Sequence, residues 1–135
     1  GDLKVFGNEA EIAITNPENK EAIATFTTKT EDLAISTSGS YERSVTIDGD
    51  VYHHLIVPQS GRPGSDFLSL TVVMEDTSTL ADAYATALFI MGRDKALEFL
   101  DNHREIGVFI VFPDKNIYYN AAFAKLVTNL KIEGK

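Results

Sequence analysis

Residues 67–75, FLSLTVVME, and residues 78–91, STLADAYATALFIM, are nearly contiguous yet follow different hydrophobic rules. The first is a short apolar run rich in β-branched side chains, as expected of a buried strand over Phe67 to Glu75. The second places small and apolar residues at helical spacing. It opens at a capping candidate, Thr77 or Ser78, and stops at Gly92. A chain that changes period here is neither all-β nor all-α.

The residues before this switch read as β. Glu11 to Thr15 and Ala22 to Thr28 are short runs divided by a turn, Asn16-Pro17-Glu18-Asn19. Tyr41 to Ile47 alternates in character, and Val51 to Val57 resumes after Asp48-Gly49-Asp50. Asp-Gly between two such runs predicts a hairpin, because the turn demands residues that tolerate positive φ. After Gly92, Asp94 is placed to cap a second helix over Lys95 to Asn102. Ile106 to Phe112 and Asn116 to Tyr119 then flank Pro113-Asp114 as a terminal hairpin. Strands, a helical pair and a hairpin make an α+β fold. No repeat or linker divides the chain, so residues 1–135 are read as one domain.

Composition narrows the function. Lys plus Arg number 12 against 20 for Asp plus Glu, a formal net charge of −8. Phosphate backbones require a concentrated basic surface, so a nucleic-acid partner is not expected. With no cysteine there is neither a disulfide framework nor a thiolate metal site. The longest apolar window, around Leu80 to Met91, contains Asp82 and is too short to span a bilayer. The chain opens at GDLKVFG without an initiator methionine, and is read as a processed product or an excised domain.

Three segments carry groups capable of chemistry. In YHHLIVPQSG, Tyr52 to Gly61, neighbouring strand residues face opposite ways, so only one of His53 and His54 can address a given site. Either could equally be a structural strand residue. Ser60 and the backbone around Pro58 and Gly61 could cradle an anion. In LADAYATALF, Asp82 and Thr86 are four residues apart and separated by only ~40° around a helix. A carboxylate and a hydroxyl on one face form a hard-oxygen pair suited to Mg²⁺. The same residues could instead be a helix-dipole partner and a mid-helix threonine. In AISTSGSYER, Ser36, Thr37, Ser38, Gly39 and Ser40 could hold phosphate or form a polar loop before a strand.

Taken in order, these segments resemble the ApbE family, the FAD:protein FMN transferases. The matching pieces are ISTSG-x-YER at Ile35 to Arg43, Asp48-Gly49, H-x-x-x-P-x-[ST]-G at His54 to Gly61, and ADA-x-AT-A-x-x-x-MG at Ala81 to Gly92. Gly1-Asp2 resembles the end of the family's Gly-Gly-Asp/Asn strand start. The resemblance implies an antiparallel sheet with packed helices, related to the T-fold. It also implies that this chain is the C-terminal part of a longer domain whose upstream half completes the FAD pocket.

The implied reaction splits FAD at its pyrophosphate. AMP leaves, and FMN is esterified through its phosphate to a threonine of a target flavoprotein, with Mg²⁺ as the metal. By resemblance His54 is the motif histidine and a candidate base, Asp82 and Thr86 are the metal ligands, and Ser38, Gly39, Ser60 and Gly61 line the nucleotide site. An unperturbed histidine pKa near ~6.5 suits a base at neutral pH. The resemblance further implies an extracytoplasmic bacterial setting, membrane-anchored as a lipoprotein. Two positions depart from the pattern: Val57 stands where Asp or Asn is usual, and Ser40 where Asp is usual. They keep open a catalytically impaired flavin-binding or scaffold domain, and a FAD pyrophosphatase of the same fold, using water as acceptor, is a second alternative.

Overall fold

The computed structural model describes residues 2–6, 9–16, 19–29, 32–40, 45–47, 50–52, 56–57, 62–63, 66–75 and 77–133. In chain order the elements are β1 (Asp2–Phe6), β2 (Glu11–Thr15), β3 (Ala22–Thr28), β4 (Asp32–Gly39), β5 (Val45–Ile47), β6 (Asp50–Tyr52), β7 (Ile56–Val57), β8 (Arg62–Pro63) and β9 (Ser69–Met74). There follow α1 (Ser78–Met91), α2 (Arg93–Asp101), β10 (Gly107–Val111), β11 (Ile117–Tyr119), α3 (Ala121–Leu126) and β12 (Val127–Ile132). The fold is α+β, as expected.

Five strands form one antiparallel sheet in the order β1-β4-β9-β10-β11. Alternation along these strands feeds two cores, one on each face. Leu70, Val72 and Met74 of β9, with Ala34 of β4, face Ala81, Ala85, Leu88 and Phe89 of α1. Those four α1 residues recur at helical spacing, which is why α1 lies flat on the sheet. On the opposite face, Val5, Leu33, Ile35, Val73, Phe109 and Val111 pack on Ile14, Ala24, Phe26 and Phe123. These last come from α3 and from a second antiparallel sheet, ordered β12-β3-β2. All six residues of β9 are buried because both faces of that strand are covered.

The sequence reading finds β2, β3, β9 and α1 almost to the residue. It differs in several places, the strand expected over Val51 to Val57 being divided between β6 and β7 of separate sheets, and three of the differences bear on the frame of the site. Residues 36–39, expected as a polar loop, form the end of β4, an interior strand bonded on both sides to β1 and β9. The hydroxyls that suggested a loop are spent inside the sheet: Thr37 Oγ1 meets Thr71 Oγ1 at 2.8 Å across the β4–β9 pair. Second, α2 starts at Arg93, and Asp94 lies in its first turn rather than at the cap. The cap comes from a distant residue, Asp66, whose Oδ2 accepts from Arg93 N–H at 2.8 Å. Third, α3 and β12 follow the terminal hairpin, and β12 returns to pair with β3. The Asp48-Gly49 turn lies outside the described residues, but β5 and β6 on either side of it pair as the hairpin requires.

Candidate functional site

The candidate site lies on the helix-covered face of the central sheet, where α1 crosses β4. Three residues separate β9 from α1, so the helix doubles back over the sheet and runs alongside β4. Thr77 fixes its start, its Oγ1 accepting the Leu80 N–H at 3.1 Å. Such a cap contributes about 1 kcal/mol.

Asp82 and Thr86 are successive residues of one stripe of α1, beside the buried stripe of Ala81 and Ala85. Asp82 is exposed and Thr86 half-buried. Beneath them, alternation along β4 turns Ser36 and Ser38 toward the helix, with Ala34, and turns Leu33, Ile35 and Thr37 away. Ser36 is fully buried and Ser38 nearly so. The two elements meet through side chains here: Ser36 Oγ donates to Asp82 Oδ1 at 3.3 Å. The spacing also matches, since the four residues from Asp82 to Thr86 rise ~6 Å and two strand residues advance ~6.6 Å.

Gly39 ends β4. A side chain there would find only ordinary contacts, Leu68 O at 3.6 Å and Ser69 Cβ at 3.8 Å. Packing therefore does not demand this glycine. Next to it in the ladder, Ser69 Oγ is buried with no hydrogen-bond partner among the described residues.

Of the residues singled out from sequence, the structure brings Asp82 and Thr86 together with the end of β4 that carries Ser38 and Gly39. His54, Ser60 and Gly61 lie outside the described residues. One contributor, Ser36, was not singled out within its hydroxyl run. The signal was available: in ISTSG, residues two apart share a face, so Ser36 goes with Ser38 and not with Thr37. Its distance in sequence from Asp82 hid the pairing.

The donors fit a hard divalent cation. An exposed carboxylate with a neighbouring hydroxyl supplies oxygen only, and Mg²⁺ binds through one or two carboxylates while keeping several waters. Among the described residues no three His, Asp or Glu side chains converge into a denser site.

The chain as a whole is similar to known proteins. Residues 1–110 match the model of the ApbE family. An FAD:protein FMN transferase of Treponema pallidum is 31% identical over 88% of this chain and 33% of its own length. The FAD:protein FMN transferase of Escherichia coli K12 is 38% identical over 64% of this chain and 25% of its own length. Among solved structures, an ApbE protein from Thermotoga maritima superposes with a TM-score of 0.82 at 28% identity, covering 96% of this chain and 43% of that one. The apo flavinyl transferase ApbE of Pseudomonas stutzeri gives 0.71 at 29% identity, covering 93% and 41%. The chain thus spans about a third or less of these curated relatives.

Proposed function

The chain belongs to the ApbE family, and from that premise we propose that it is the C-terminal part of a Mg²⁺-dependent FAD:protein FMN transferase. The observation that carries the reading is the family match over residues 1–110, which takes in every motif from Ile35 to Gly92. The juxtaposition of β4 and α1 supports it, because it sets the Asp82 carboxylate of α1 against the hydroxyl-bearing end of β4.

In this reading Asp82 and Thr86 would hold the Mg²⁺, which when bound neutralises charge on the FAD pyrophosphate. Ser38 and Gly39, with Ser60 and Gly61, line the nucleotide. His54 takes the proton of the acceptor threonine. The threonine oxygen bonds to the FMN phosphorus as the bond from that phosphorus to the AMP oxygen breaks, and AMP leaves carrying that oxygen. Positioning and charge neutralisation dominate such transfers. The upstream part of the domain and a flavoprotein bearing the acceptor threonine are the partners. On resemblance we extend the proposal to an extracytoplasmic, lipid-anchored setting, for which protease accessibility in intact cells is the check.

The test is incubation of the intact protein with FAD, Mg²⁺ and a target domain carrying the acceptor threonine. Covalent flavin on the target is the expected result. FMN and AMP without attachment would mean hydrolysis, and neither product would mean a binding scaffold. His54→Ala is expected to lower transfer about 10²–10⁴-fold, the usual contribution of a positioned base, with FAD affinity retained. Wild-type transfer by this variant would remove His54 from the mechanism.

A further inference from the structure

We propose that Ser36 is a positioning residue for the cation site: its hydroxyl holds Asp82 by one carboxylate oxygen and leaves the other for the metal. The inference rests on the reading of Asp82 as a metal ligand. It adds a residue that the motif spacing does not nominate.

Ser36 is fully buried on a sheet face that it shares with Ser38 and with the apolar Ala34, Leu70, Val72 and Met74. An alanine would satisfy that packing. A buried hydroxyl costs about 1–3 kcal/mol unless it is hydrogen-bonded. Ser36 Oγ donates to Asp82 Oδ1, a residue 46 positions away on another element.

The donor sits on a rigid platform. Ser36 is paired with Asp2 of β1 on one side, at the end of that ladder, and with Val72 of β9 on the other, within a ladder that continues to Gly39. Asp82 is an exposed side chain on a helix surface, and by itself it samples several rotamers. A bond from the fixed strand to Oδ1 selects one of them. An ionised carboxylate has about four lone-pair sites, so Oδ2 keeps its capacity for a cation. The same bond ties the register of α1 to β4, so Thr86 is held one turn beyond.

Outer partners of metal ligands typically contribute about 10–100-fold to metal affinity. The Ser36–Asp82 separation of 3.3 Å is long for a hydroxyl donor. The expected effect is therefore at the lower end, about tenfold.

The experiment titrates the intact protein with Mn²⁺, which shares the oxygen preference of Mg²⁺, and follows the loss of the free-ion EPR signal. Urea unfolding of each variant without metal is measured in parallel. Ser36→Ala and the near-isosteric Ser36→Cys should both raise the Mn²⁺ Kd about tenfold, and Ser36→Thr, which keeps the hydroxyl, should stay near wild type. An unchanged Kd in Ser36→Ala and Ser36→Cys, with or without a lower urea midpoint, would make Ser36 a packing residue and overturn the proposal. Asp82→Ala separates the two layers. If it loses Mn²⁺ affinity while Ser36→Ala does not, only the positioning role fails. If Asp82→Ala binds Mn²⁺ as wild type does, the metal-ligand reading itself has failed.

Discussion

Gly92 joins α1 to α2 at φ +82° and ψ 169°, a region of backbone space almost confined to glycine. A Cβ there would also lie 2.7 Å from Asp66 Oδ2, the atom that caps Arg93. Arg93 in turn lies over the Phe112 ring, 4.6 Å from its centre. Both penalties act in Gly92→Ala, and about 2–3 kcal/mol of destabilisation is expected, read as a shift of the urea midpoint. Asp66→Ala should cost only about 1 kcal/mol, the scale of a lost cap. In that background Gly92→Ala should still be costly, because the φ penalty survives removal of the carboxylate. At the proposed metal pair, Asp82→Ala should raise the Mg²⁺ requirement of the intact protein by more than about tenfold. An unchanged metal titration would remove Asp82 from the site.

At the scale of elements, α3 shows how a helix too short for a clear period is specified from outside itself. Asn120 accepts from Phe123 N–H at 3.0 Å as its cap. It also accepts from Val108 N–H at 3.0 Å and donates from Nδ2 to the Ile106 carbonyl at 2.9 Å. One side chain therefore caps α3 and ties it to β10. Asn120→Ala should cost about 2–3 kcal/mol, because buried backbone groups lose their partner. Asn120→Asp keeps the acceptor but cannot donate to Ile106, so it should fall between. Gly107 of β10 lets α3 approach: a Cβ there would meet Phe123 Cα and N at 2.9 Å and the Val73 carbonyl at 3.0 Å. Those neighbours are backbone and cannot swing aside, so Gly107→Ala should destabilise by at least about 2 kcal/mol. Thermal unfolding checks both residues.

For the whole molecule, the central sheet is a partition with separate tasks on its two faces. The helix face carries Ser36, Asp82 and Thr86, whereas the other is built on aromatic contacts among Phe26, Phe109, Tyr119 and Phe123. Phe123→Ala should cost about 3–5 kcal/mol of stability while leaving the Mn²⁺ Kd of the folded protein unchanged. A loss of both together would show that the faces are coupled. Local pattern determined much of this. The period switch at residue 77, the Thr77 cap, the Gly92 stop, the strands at 11–15, 22–28 and 69–74, and the shared face of Asp82 and Thr86 all follow from spacing within a few residues. Tertiary structure decided what no window of sequence contains. ISTSG becomes an interior strand because β1 and β9 flank it, Asp66 caps a helix 27 residues away, and Ser36 finds Asp82. The physical reason is the same in each case. A hydroxyl or carboxylate shows its type in the sequence, but its partner is chosen by which groups the packed layers bring within hydrogen-bond reach.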